Sequence, residues 1–140
     1  MAGETIAIDG GYPVDIDPEM SKLLRMAQHN ELEEYDDVYK HFGDTAKQEG
    51  FAQIGNLFHN IAAIEKTHAD RFEHFAQLME QGKLFVADKE IAWMCLNCGH
   101  IAFGKEAPKV CPVCQHNQGY FIRQVMAPFD FSQVRCLCGC

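Results

Sequence analysis

Glu65 and His68 stand three residues apart in the run Phe58-His59-Asn60-Ile61-Ala62-Ala63-Ile64-Glu65-Lys66-Thr67-His68-Ala69-Asp70-Arg71-Phe72. Apolar residues recur at Phe58, Ile61, Ala62, Ala69, Phe72, Phe75, Ala76 and Met79, which is a helical period. Residues three apart on a helix share a face. The spacing therefore points a carboxylate and an imidazole together into an apolar stripe. An ionised carboxylate there is costly unless something positive compensates it. A metal ion does so.

A lone Glu-x-x-His is more often a solvated helix face. A second acidic pair upstream changes the balance. Glu31 and Glu34 are also three apart, on a stripe with Leu24, Ala27, Val38 and Phe42. A carboxylate-bridged di-iron site in a four-helix bundle takes one Glu from each of two helices and Glu-x-x-His from each of the other two. This chain carries half of that set. Asp37 is expected to be exposed, or to touch a ligand without being one. His29, His41, His59 and His74 show no ligand spacing and are expected mostly at the surface.

Cys95-Leu96-Asn97-Cys98-Gly99-His100 and Cys111-Pro112-Val113-Cys114 make two Cys-x-x-Cys knuckles. Four thiolates at this spacing form a tetrahedral site suited to zinc or iron. Gly99 allows the positive-φ turn that brings backbone N–H groups toward sulfur. Spacing leaves the metal open, and on this domain alone structural zinc is favoured. His100 and His116, which follow the knuckles, are expected to be structural or near an electron path.

These residues need elements to hold them. The helical pattern runs from Pro18 to about Gln48, with Asp17 as N-cap and Gly50 as its closing residue. It is about 45 Å long, and Gly43 inside it leaves room for a kink. A second helix of nearly equal length runs from about Phe51 to Gln81 and ends at Gly82. A short loop between equal helices makes an antiparallel hairpin. One hairpin cannot enclose a core, so two are expected to pair as a four-helix bundle. The expected organisation is an arm over residues 1–17, the hairpin over 18–82, a linker with the first strand over 83–92, a cysteine domain over 93–125 and a Cys-rich tail over 126–140. The cysteine domain is too small to fold without a metal or disulfides.

Composition narrows the partners. The chain has 140 residues and a formal net charge of -8. That disfavours nucleic acid and anionic membrane. No apolar run is long enough to span a membrane, and residues 1–4 do not begin a secretory signal. All seven cysteines fall at or after Cys95, an odd and clustered count that suits a cytoplasmic metal site, not a disulfide framework. Cys136-Leu137-Cys138-Gly139-Cys140 reads as a tail with exposed thiols, or else as a soft-metal, redox or peroxide-sensitive site.

The chain resembles the rubrerythrins over most of its length. Trp93-x-Cys95-x-x-Cys98-Gly99, Glu106-Ala107-Pro108, Cys111-Pro112-x-Cys114-x-His116 and Tyr120-Phe121 are similar to their C-terminal rubredoxin-like domain, and the 12 residues between Cys98 and Cys111 fit its short form. Glu49-Gly50-Phe51, Phe58, Ile61-Ala62 and Glu65-Lys66-x-His68-x-x-Arg71-Phe72 are similar to their helical motif, with Glu31-x-x-Glu34 and Tyr39 in register.

The resemblance implies a mainly α fold. A ferritin-like hairpin would complete a bundle by dimerisation, beside a small rubredoxin-like domain. It implies a non-haem di-iron peroxidase that reduces hydrogen peroxide to water and protects against oxidative stress. Electrons would pass through a mononuclear iron centre held by four thiolates. By position, Glu31, Glu65 and His68 look like di-iron ligands, Glu34 like the extra movable carboxylate, and Tyr39 like the tyrosine that hydrogen-bonds a ligand carboxylate. Cys95, Cys98, Cys111 and Cys114 look like the mononuclear ligands. Rubrerythrins carry two helix pairs and this chain shows one, so the di-iron centre is expected to be shared in a homodimer. No Gly-x-Gly-x-x-Gly is present, so an external reductase is expected as donor. The alternative is a ferroxidase or iron-storage protein with a structural zinc domain.

Overall fold

Asp17 does not cap the first helix from the expected position. Its Oδ1 accepts from the Glu19 N–H at 2.8 Å, and the helix begins two residues later than Pro18. The structure, a computed structural model, describes residues 10, 11 and 14–128. Most of the expected arm and all three tail thiols (Cys136, Cys138, Cys140) lie outside the described residues. Residues up to Gln77 form one compact unit and those from Leu78 onward another.

The helical unit comprises α1 (Met20–Glu33), a π-helical turn (Glu34–Val38), α2 (Tyr39–Gln48) and α3 (Ala52–Glu80). The expected first helix is present, but its irregularity is the π turn and not a kink at Gly43. Gly50 closes α2 at φ 90°. The Phe51 N–H reaches Ala46 O at 2.8 Å and the Gly50 N–H reaches Lys47 O at 3.1 Å, a Schellman pair. Gly82, at φ 65°, closes α3 the same way, with Lys83 N–H to Leu78 O at 2.7 Å.

The helices run antiparallel. Gly43 meets Gly55, Glu31 meets His68, and Arg25 approaches Glu73 at 4.0 Å. Successive contacts climb one helix as they descend the other. The fully buried positions on α3 are Gly55, Ala62, Ala69 and Ala76, each seven residues on from the last. Ser21, Gly43 and Ala46 are the buried positions opposite. The expected large apolar residues of the stripe (Phe58, Ile61, Phe72, Phe75, Met79) are only half-buried. One hairpin closes on a seam of small residues and leaves its large side chains without full cover.

The second unit is a three-stranded antiparallel sheet of order β2-β1-β3, with β1 Val86–Cys95, β2 Ile101–Glu106 and β3 Phe121–Arg123. Strand β1 therefore begins inside the stretch expected as linker and first strand. The core is Trp93, Cys95, Cys111, Phe121, Ala107 and Ala87. The indole N–H of Trp93 donates to Gly104 O at 3.0 Å. Among the described residues no helix is long and apolar enough to cross a membrane.

Candidate metal centres

Strand β1 delivers Cys95 and Cys98 at its end, and the loop after β2 delivers Cys111 and Cys114. The two knuckles share one backbone pattern. Cys95 N–H donates to His100 O (2.9 Å) and Gly99 N–H to Cys95 O (2.8 Å). Cys111 N–H donates to His116 O (2.8 Å) and Gln115 N–H to Cys111 O (3.0 Å). Gly99 takes φ 77° and Gln115, in the equivalent place, φ 63°. The expected glycine turn is thus present once as glycine and once as glutamine.

Sγ of Cys95 and Cys114 are 3.6 Å apart, and Sγ of Cys98 and Cys111 3.7 Å. All four converge within 4.8 Å. A tetrahedron with metal–sulfur bonds of about 2.3 Å has edges of about 3.8 Å. The donor set fits one tetrahedral ion. The electrostatics agree. The backbone N–H of His116, with neighbouring sulfurs, holds Cys114 down to about 5. The His100 N–H pulls on Cys98 too, but desolvation and the other three sulfurs outweigh it and push Cys98 up to about 12. Four sulfurs this close do not all ionise without a cation among them. His116 turns its Nδ1 to Cys114 O at 3.1 Å and packs its ring 4.3 Å from Tyr120. It buttresses the knuckle from beside it.

The second cluster lies between α1 and α3. His68 Nδ1 is 2.6 Å from Glu65 Oε2 and 3.4 Å from Glu31 Oε2. Ligand atoms of Glu31, Glu65 and His68 all fall within 4.8 Å. Burial, then the Glu65 carboxyl, raises Glu31 above the usual carboxylate range. Two acidic groups and one imidazole facing a common point fit a cation. They match half of the di-iron set: one Glu from one helix and Glu-x-x-His from the other.

Glu34 is not in the cluster. It opens the π turn, with its own N–H still bonded to Asn30 O and Glu31 O. Tyr39 closes that turn. Its ring stacks on Phe58 at 6.2 Å and meets Phe42 edge-on at 6.4 Å. Burial raises the Tyr39 phenol, and the charges of Glu34, Glu65 and Glu31 add to it. Asp37, His29, His41 and His74 are exposed, as expected. His59 is not simply a surface residue. It covers Gly43, with Lys47 Nζ 3.0 Å from Nδ1 and Asp44 Oδ1 3.0 Å from Nε2, the latter at ion-pair distance without hydrogen-bond alignment. Histidine rotamers on helix faces leave no sequence signal.

Rows of seven-residue spacing on α3 place the cluster. Beside the small seam runs Phe58, Glu65, Phe72, Met79. Next comes Ile54, Ile61, His68, Phe75, then Leu57 and Ile64. Ile54, Leu57 and Ile64 are 49%, 58% and 53% exposed. The ligands therefore sit between a closed seam and an open apolar flank.

A helix hairpin bearing a carboxylate–histidine cluster, followed by a four-cysteine knuckle domain, defines a ferritin-like hairpin joined to a rubredoxin-like module. The chain belongs to the rubrerythrin family: the family model described as Rubrerythrin matches residues 19–96, and that described as Rubrerythrin, rubredoxin-like domain matches residues 93–122. It is similar to Rubrerythrin of Clostridium perfringens, 39% identical over 121 residues that make up 86% of this chain and 62% of that protein. Rubrerythrin of Porphyromonas gingivalis is 39% identical over 86% of this chain and 60% of its own length. The chain thus spans about three fifths of these relatives' length. A solved structure of nigerythrin in its partially reduced state aligns with a TM-score of 0.45 and 24% identity, over 79% of this chain and 52% of that one.

Proposed function

We propose that this chain is a non-haem peroxidase that reduces hydrogen peroxide to water at a carboxylate–histidine di-iron centre, with electrons delivered through iron in the four-cysteine site. The observation that carries this reading is the pairing, in one chain of the rubrerythrin family, of the Glu31–Glu65–His68 cluster with four converging thiols. In this reading residues 18–82 form the di-iron hairpin and 93–125 the electron-entry domain, joined by 83–92, with 1–17 as arm and 126–140 as tail. Glu31, Glu65 and His68 hold the di-iron centre, with Glu34 as an additional carboxylate. Cys95, Cys98, Cys111 and Cys114 hold the single iron.

Bound there, the two centres supply redox chemistry: a pair of electrons for O–O cleavage at the helical site and single-electron return from the four-cysteine site. The chain's own residues do the rest. His68 aims Nδ1 at both carboxylates, with Glu65 Oε2 at 2.6 Å setting the ring's orientation. Tyr39 keeps its phenolic proton, because burial and three carboxylates raise its pKa. It serves as a hydrogen-bond donor toward a ligand carboxylate. Glu31 is raised by burial and by Glu65, a cost that a bound cation would offset.

A second copy supplies the missing half. Doubling Glu31, Glu65 and His68 about a two-fold axis gives four Glu and two His, the full bundle set. The same operation covers Ile54, Leu57 and Ile64 and excludes water from the centre. The donor is an external reductase. The clustered thiols support a cytoplasmic setting.

Metal analysis with a visible spectrum, followed by anaerobic reduction and addition of peroxide, tests the reading. Iron in both sites, with the colour of the four-cysteine site returning on peroxide addition, is the expected result. Zinc in the four-cysteine site together with iron uptake but no peroxide-dependent reoxidation contradicts it, and favours iron storage.

A further inference from the structure

Arg123 stands directly opposite Trp93 in the β1–β3 pairing, and Phe121, one same-face step away, pairs with Cys95. The guanidinium carbon lies 5.3 Å from the indole centroid. Nη2 donates to Lys83 O at 2.7 Å and to Val86 O at 2.8 Å. Nε is sealed from solvent without a partner. Among the described residues no carboxylate pairs with it. A guanidinium keeps its charge at every accessible pH. Two carbonyl dipoles and a π face orient that charge but do not cancel it.

The sheet thus holds an unpaired cation on the face that carries Cys95, packed over the same buried Trp93 that shares a core with Cys95 and Cys111. Iron bound by four thiolates carries a net charge of minus one when ferric and minus two when ferrous. A fixed cation nearby favours the more negative state. We infer that Arg123 sets the redox poise of the four-cysteine centre, raising its reduction potential so that it draws electrons from the external donor. The inference rests on the proposed function only in taking iron as the ion in that site. A structural clamp alone, tying Lys83 and Val86 to β3, predicts a stability loss and no change in potential.

The test is spectroelectrochemical titration of the iron-loaded full chain in wild type, Arg123→Lys, Arg123→Gln and Arg123→Met. Both neutral variants are expected to shift the ferric/ferrous equilibrium toward ferric by about tenfold, which is 59 mV for a one-electron couple. Arg123→Lys keeps the charge but loses the fork that fixes it over Trp93, so its potential is expected to fall with added salt more than that of wild type. Neutral variants with the wild-type potential overturn the inference. Should they fail to keep iron, equal potentials for Arg123→Lys and wild type at low and high salt overturn it instead. Zinc in the native protein would count against the proposed function alone, since the potential is read on iron-loaded protein.

Discussion

Glu31 is the residue whose own chemistry reports most directly on the helical site. Burial and Glu65 raise its pKa in the metal-free chain. The folded state then binds a proton more tightly than the unfolded chain, so stability falls as pH rises from the ordinary carboxylate range to the raised value. Glu31→Gln removes that fall. Thermal unfolding of metal-free protein across this range is expected to show a shallower pH dependence in Glu31→Gln, with the variant no less stable than wild type at neutral pH. Identical pH slopes would take Glu31 out of the crowded cluster. The same substitution should lose helical-site iron. Glu65→Ala and His68→Ala should also lose that iron and abolish peroxide turnover, while the colour of the four-cysteine site persists. Wild-type turnover in both variants would remove these residues from the site. Glu65 and His68 were legible in the sequence because an i,i+3 pair interrupts an apolar stripe. Arg123 was not: one Arg in a short strand carries no pattern until β1 and β3 are paired.

The elements hold two devices with measurable consequences. The π turn adds a residue to the first helix, and that residue sets the angle at which Glu31 faces Glu65 and His68. Deleting the exposed Asp36 should restore α winding and turn everything before it by about 100°. Helix content is expected to survive by circular dichroism while helical-site iron is lost. Unchanged iron content would show that the π turn does not phase the ligand. At the crossing, a Cβ on Gly55 would lie 2.6 Å from Gly43 O, whereas a Cβ on Gly43 meets mainly the His59 ring, at 2.1 and 2.4 Å. A side chain can swing aside and a backbone carbonyl cannot. Gly55→Ala is therefore expected to cost about 1–3 kcal/mol from overpacking, more than the ~1 kcal/mol of helix propensity it gains. Gly43→Ala should cost less, and denaturant midpoints compare the two. Helix ends were legible through Gly50 and Gly82, since a positive-φ closing residue is a local property. The π turn was not, because a one-residue insertion leaves a helical hydrophobic pattern intact within its own scatter. Gln115 likewise hides a turn that Gly99 advertises.

At the scale of the molecule, two units carry two donor sets, and each set belongs to one unit. Cys95→Ser should destroy the four-cysteine site and the core that Cys95 shares with Trp93 and Phe121, while the helical unit still takes up iron. Simultaneous loss of both irons would contradict independent sites. In the proposed reading the helical unit is the incomplete one. It closes on Gly55, Ala62, Ala69 and Ala76 and leaves Ile54, Leu57 and Ile64 open beside a half set of ligands. The central claim is that a second copy completes both the core and the centre. Light scattering combined with iron counting, on wild type and Glu65→Ala, measures it directly. The account predicts a wild-type dimer with two irons per chain, four per dimer, and a Glu65→Ala protein that keeps only the thiolate-bound iron of each chain. A folded monomer that still binds two irons at the helical site would contradict it.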